Sequence, residues 1–220
     1  MSERFITFRS LNDLKNVKHC FTTRTPAIDV NCDKNEALIR LKSYYEKAIA
    51  FLGFTYDKFI HLDQVHSDNV ILVNNADKSA QSLVEGDALI TFERNILLGV
   101  FVADCCAVFI SDKEGRGVSV VHSGKRGSEL SIVKKTISMF KENGVCPADL
   151  IIQLSPCIKP PAYEVDFVKM ITDDCLSCGV SEKSLFVDPR CTSKDANLFY
   201  SYRRERGKTG RMLALIGKEY

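Results

Sequence analysis

The sequence predicts an α+β fold in which mixed β-sheets are flanked by helices. Three observations lead there. Strand-like segments outnumber helical ones. Not every strand-like segment is followed by a helix, as a doubly wound parallel sheet would require. Residues 96–110 form a nearly unbroken apolar run, which reads as one strand buried on both faces.

The elements follow in order. Residues 5–8 and 17–23 read as strands, short and rich in aromatic and β-branched residues. Residues 35–52 read as an amphipathic helix: Leu38, Leu41, Tyr45, Ala48, Ile49 and Leu52 recur at helical spacing and Gly53 stops it. Strand candidates follow at 59–62, 69–73 and 88–92, then the long run 96–110 and another strand at 117–121. Ser128 is placed to cap a helix that carries Ile132, Val133, Thr136, Ile137 and Phe140 and closes at Gly144. Residues 150–154 read as a buried strand and residues 165–178 as a helix. Residues 199–202 and 212–216 read as a closing hairpin that turns at Arg206-Gly207-Lys208.

A chain of 220 residues can bury one sizeable core, and residues 1–220 are expected to form a single domain. The net charge of +2 gives no reason to expect a nucleic acid. Arg203, Arg204, Arg206, Lys208 and Arg211 do cluster near the C-terminus, as a solvated turn or as a patch for a phosphate or carboxylate. No apolar run has the length of a membrane span or signal peptide, so a cytoplasmic protein is expected. Nine cysteines is an odd number, and in that compartment a disulfide framework is not expected. Cys175 and Cys178 have dithiol spacing but fall within a helical pattern, and read as core.

The chemistry is concentrated in three segments: Gln64-Val65-His66, Ala103-Asp104-Cys105-Cys106, and His122-Ser123-Gly124-Lys125-Arg126-Gly127. They hold two of the four histidines and a thiol, a donor set that zinc accepts in open catalytic sites. The same set suits a single copper ion, given a weak axial ligand. A four-copper oxidase needs far more than four histidines. Asp104 interrupts the apolar run, so it is expected to be buried with hydrogen-bond partners. Cys106, its neighbour but one, should face away from Cys105 because adjacent strand residues alternate. The wide separations along the chain do not match a structural zinc knuckle. Read alone, His66 and His122 read as surface turn residues and Cys105 as core filler.

Six motifs in fixed order change that reading. They are Gln64-Val65-His66, Gly86-Asp87-Ala88-Leu89-Ile90-Thr91, Ala103-Asp104-Cys105, His122-Ser123-Gly124-Lys125-Arg126-Gly127, Pro156-Cys157-Ile158 with Tyr163-Glu164-Val165, and Cys191-Thr192 with Ser201-Tyr202-Arg203-Arg204 and Thr209-Gly210-Arg211. In this order they resemble the YfiH-type laccase-domain family, also described as purine nucleoside phosphorylases, from about residue 59 to 211. The resemblance implies an α/β/β/α-type sandwich, cytotoxic necrotizing factor/YfiH-like, and a metal site of His66, Cys105 and His122. It implies phosphorolysis of adenosine, inosine and methylthioadenosine, with deamination of adenosine, so that the partners are a nucleoside and phosphate. Ser67 stands for a usual glycine, Ala107 for a proline, Ser123 and Lys125 for alanine and tryptophan, and Lys159 for a glycine. The stretch between 165 and 191 also reads as shorter than in most members.

On this basis Cys105, His122 and Arg126 are the candidate catalytic residues. Gln64 and Asp104 would orient the ligands from behind. Arg126, near the start of a helix, would bind phosphate or a leaving-group oxygen. Two other readings use the same residues: a cysteine-nucleophile amidase or hydrolase with Cys105 and His122, and a metal-binding protein without catalysis.

Overall fold

The computed structural model describes residues 5–74 and 84–219. Eleven strands occur among them: β1 (Phe5–Ile6), β2 (Val17–Thr22), β3 (Phe59–His61), β4 (Val70–Leu72), β5 (Ala88–Thr91), β6 (Ile96–Val102), β7 (Cys106–Asp112), β8 (Val118–Ser123), β9 (Leu150–Leu154), β10 (Leu185–Val187) and β11 (Met212–Lys218). The helices are α1 (Arg9–Asn12), α2 (Lys34–Phe51), α3 (Lys125–Glu129), α4 (Ile132–Glu142) and α5 (Phe167–Ser177).

The strands form two mixed sheets, one ordered β1-β2-β11-β6-β3 and the other β10-β9-β7-β8-β5-β4. Alternation along the central strands gives the layers. Ala107 and Phe109 of β7 and Val118 and Val120 of β8 join the core shared with the five-stranded sheet and α2. Cys106, Val108, Ile110 and Val121 instead join the core under α4 and α5. The result is the α/β/β/α sandwich that the sequence led us to expect. Helix α2 begins at Asp33, whose carboxylate accepts the Asn35 and Glu36 N–H groups, and buries Leu41, Tyr45, Ala48 and Ile49.

The structure corrects three readings. The apolar run 96–110 is two strands, β6 in one sheet and β7 in the other. A single strand of that length would span about 50 Å, too long for this core. The break is Asp104, whose φ of +85° lies in the left-handed region. Ser128 lies inside the short helix α3, and α4 starts after Ser131. Residues 199–202 are not a strand. They belong to a turn-rich segment held by Glu205, which accepts from Arg24 (2.5 Å), Thr209 Oγ1 (2.6 Å) and the Ser201 N–H (3.1 Å). Strand β11 pairs with β2 and β6 instead. The short edge strand β10, beside β9, carried too little pattern to be read.

Candidate metal centre

The site is assembled where three segments leave their strands. The chain crosses between the sheets at Ala103-Asp104-Cys105, between the end of β6 and the start of β7. Asp104 fixes that crossover. It is buried, its Oδ1 accepts from Thr192 Oγ1 (2.7 Å), its Oδ2 accepts the Arg203 N–H (2.7 Å), and its carbonyl takes the Ile158 N–H (2.8 Å). A parallel bridge between Cys157 and Cys191 brings Thr192 to it. The expected burial and partners of Asp104 are present. Those partners hold the loop, and no histidine is among them. Cys106 turns the other way, with Sγ 3.8 Å from the Ser155 carbonyl.

His122 lies near the end of β8 and is 5 % exposed. His66 follows β3 in a loop, exposed, with φ +59°. Asp87, just before β5 and fully buried, ties the two together. Its Oδ1 accepts from His122 Nδ1 (2.7 Å) and from the His66 N–H (3.1 Å), and its Oδ2 accepts from the Ser67 N–H (2.6 Å) and hydroxyl (2.8 Å). The hydroxyl that replaces a usual glycine at position 67 is therefore used. Gln64 does not touch the histidines. Its amide clasps the Phe101 backbone, donating to the carbonyl (2.8 Å) and accepting the N–H (2.7 Å).

His66, Cys105 and His122 thus converge, each offering one donor atom, all within 4.8 Å of one another. Cys105 Sγ is 3.9 Å from His66 Nε2, and the two imidazoles cross at 4.8 Å between centroids. Tetrahedral zinc with ordinary bond lengths would draw the three atoms to about 3.3–3.6 Å apart. The donors fit such an ion chemically. Because Nδ1 of His122 bonds to Asp87, Nε2 is the nitrogen presented to Cys105. Burial alone would raise the Cys105 thiol, but the His122 and His66 imidazoles outweigh it and lower it to about 6. Burial opposes charge on His122 too, yet the Cys105 thiolate and Asp87 hold it up to about 9. Asp87, for all its burial, is drawn down to about 2, chiefly by His122. A thiolate is therefore at hand near neutral pH.

The cluster opens into a cavity of about 470 Å³. Phe101, Ile158, Tyr163, Phe167 and Tyr202 give it an apolar and aromatic wall, and Lys34, Lys125, Arg203 and Arg211 give it positive charge. Arg126, the sequence-based choice for an anion, is exposed and does not line it. Helix α3 is a five-residue turn that points the neighbouring Lys125 toward the cavity mouth instead. Of the C-terminal basic cluster, Arg203 and Arg211 reach the cavity, whereas Arg204 bonds to the Ser193 carbonyl (3.1 Å). Asp87 and Thr192 were missed as functional residues, although both fall inside quoted motifs.

A family model described as multi-copper polyphenol oxidoreductase laccase matches residues 19–168 and 165–219. The chain belongs to that family. A purine nucleoside phosphorylase of Clostridium acetobutylicum is 36% identical over 186 residues, 72% of this chain and 76% of its own. One of Corynebacterium glutamicum is 31% identical over 191 residues, 75% and 76% of the two chains. Among solved structures, Bacillus licheniformis hypothetical protein YfiH superposes with a TM-score of 0.83, at 23% identity, over 92% of this chain and 93% of its own. The YfiH-type resemblance and the α+β sandwich are both borne out.

The family description names several coppers, and the donor count argues against that here. Of the four histidines only two reach the site. His19 is buried in the core, its Nε2 accepting the Phe8 N–H (2.8 Å), and His61 packs tilted against Phe59 and edge-on to Phe101. Among the described residues, one three-donor cluster is present. No helix of the described residues is long and apolar enough to cross a membrane.

Proposed function

We propose that this protein is a zinc-dependent purine nucleoside phosphorylase, acting on adenosine, inosine and methylthioadenosine and also deaminating adenosine. The observation that carries the reading is the His66–Cys105–His122 cluster at the floor of a cavity with aromatic walls and cationic rims. The relatives named above support the nucleoside and phosphate as substrates. His66, Cys105 and His122 would hold the metal, with His122 fixed as an Nε2 donor by Asp87. Bound there, the ion would supply Lewis acidity. Single copper would suit the same donors.

The residues of the chain do the rest. Tyr202, exposed on the cavity wall, offers a face on which a purine can stack, as aromatic rings do for any base. In phosphorolysis a phosphate oxygen bonds to C1′ of the ribose as the bond from C1′ to the base breaks. The departing base keeps the electron pair and takes up a proton. Holding both reactants in one cavity is a large part of such a rate enhancement.

A second reading is a cysteine-nucleophile amidase or hydrolase. It is favoured by the lowered Cys105 thiol beside a protonated His122. A third is metal binding without catalysis. Zinc analysis and a nucleoside panel with and without phosphate separate all three. The phosphorylase gives adenine and ribose 1-phosphate from adenosine only with phosphate, deamination gives inosine without it, and Cys105→Ala loses phosphorolysis by orders of magnitude. Zinc-loaded protein that turns over no nucleoside while metal-free Cys105 is acylated by an activated ester would favour the hydrolase. Zinc binding with neither activity would leave the third.

A further inference from the structure

The cavity has four cations on its wall, and they are not equivalent. Arg203 is spent on Glu164 (3.0 Å) and on the face of Tyr163 (4.8 Å). Lys34 has Asp63 at 3.9 Å. Lys125 is exposed at the mouth. Arg211 alone is buried, 9 % exposed, and among the described residues no carboxylate pairs with it.

A buried guanidinium without a counter-charge is costly, so the way it is held is informative. Nη1 is tethered twice, to the carbonyls of Thr209 (2.7 Å) and Gly210 (2.9 Å). The backbone is tied as well, since the Arg211 carbonyl accepts the Tyr45 hydroxyl (2.9 Å) just before β11 begins. The guanidinium is thus fixed by one end. A guanidinium carries five N–H groups, and those on Nε and Nη2 find no acceptor among the described residues, while the side chain lines the cavity. Nε and Nη2 present the fork that binds tetrahedral oxyanions with two parallel hydrogen bonds. The side chain lines the same cavity as His66, Cys105 and His122.

We propose that Arg211 is the seat of the phosphate co-substrate, binding it through Nε and Nη2 on the cavity wall beside the metal cluster. This rests on the phosphorylase reading for its choice of oxyanion, and it replaces Arg126 in that role. Arg211 is a binding residue here: it gains a counter-charge when phosphate arrives, and phosphate gains a fixed position over the floor.

The test is direct binding of inorganic phosphate to the zinc-loaded protein by calorimetry, read beside steady-state kinetics. Arg211→Met and Arg211→Lys should weaken phosphate binding about ten- to a hundredfold, as expected for losing hydrogen bonds to a charged group. The phosphate KM should rise in step, with nucleoside KM and zinc content unchanged. The lysine variant keeps the charge and bulk, so it remains informative if the methionine variant does not fold. Phosphate binding unaltered in the lysine variant, or no phosphate binding by the wild-type protein, overturns the assignment. So does loss of phosphate binding in Arg126→Gln while Arg211→Lys retains it. Phosphate bound through Arg211 with no nucleoside turnover would leave the seat standing and remove the phosphorylase reading. Phosphorolysis with Arg211-independent phosphate binding would do the reverse.

Discussion

Asp87→Asn is the most searching perturbation of the site, because it removes one charge without changing shape. Asp87 accepts four hydrogen bonds, two at each oxygen. An asparagine keeps one acceptor and turns the other into an N–H₂ donor. With the amide nitrogen at the Oδ1 position it would face both the His66 N–H and His122 Nδ1. His122 could then escape only by moving its proton to Nε2, the nitrogen the metal needs. With the nitrogen at the Oδ2 position it faces the Ser67 N–H, while the Ser67 hydroxyl can turn to accept from it. The second orientation costs less, leaving one buried backbone N–H without an acceptor, about 1–3 kcal/mol. For a chain of this size each kcal/mol corresponds to roughly 2–4 °C in Tm. Loss of the carboxylate behind His122 should also weaken zinc binding about 10- to 100-fold. Thermal melts of the metal-free protein measure the first effect, and competition with a chromogenic chelator measures the second. A variant that binds zinc within about twofold of wild type would refute the role given to Asp87.

Gly124→Ala should empty the site without unfolding the protein: a Cβ there collides with Cys105 Sγ, while the backbone at φ −107° suits any residue. Bound zinc should fall well below equimolar with an unchanged circular dichroism spectrum, and full zinc occupancy would show that the thiol is not needed. Labelling of metal-free Cys105 by iodoacetamide, followed by peptide mass spectrometry, should be fast at neutral pH and slow as pH falls through about 6, since the thiolate is the nucleophile. Zinc should block it, and a midpoint near the ordinary thiol value would contradict the pairing with His122. His19 should make the fold acid-sensitive. Burial lowers it to about 4 against an ordinary 6.5, so the unfolded chain binds the extra proton between those values. Stability is therefore full above about pH 6.5 and falls on acidification, by about 2 kcal/mol at pH 5 and about 3 kcal/mol once below pH 4. Denaturation curves of wild type and His19→Asn, whose amide oxygen still offers Phe8 an acceptor, should converge as pH falls. Parallel curves would remove His19 from the account.

The legible parts of this fold were those with a strong period. Helix α2 and helix α5 were found almost to the residue, because apolar positions recur every third or fourth residue and Gly53 and Gly179 end them. The run from Ile96 to Ile110 was misread because its apolar character is continuous across the crossover. Hydrophobicity registers burial, and both β6 and β7 are buried, but it does not say in which sheet. The cue to the break was present as Asp104, a carboxylate that can be buried only where partners reach it. The same cost attaches to Asp87, which precedes the apolar strand β5, yet its partners come from residues 66, 67 and 122 and cannot be read locally. Arg126 was chosen for its place near a helix start. That helix proved to be a single turn, and the buried cation came instead from a cluster whose arginines look alike in sequence.

The two aspartates explain why the three candidate metal ligands can sit on three unrelated stretches of chain. None of these three residues is anchored by its own strand alone. Cys105 lies on the linker between two sheets, and Asp104 beside it accepts bonds from Thr192 and Arg203, both far along the chain. His66 lies in a loop whose course is set by Asp87, which also selects the nitrogen that His122 presents. Each carboxylate is stable where it is because donors converge on it, and donors converge only when the sheets and the C-terminal turns are in register. The site is thus a readout of the completed fold, and the departures from the family pattern fall where this scaffold tolerates them. Ser67 adds a donor to Asp87, while Lys125 stands at the mouth, clear of both carboxylates. Of those departures Lys125 alone lines the cavity, and the geometry of the three donors is left to Asp87 and Asp104.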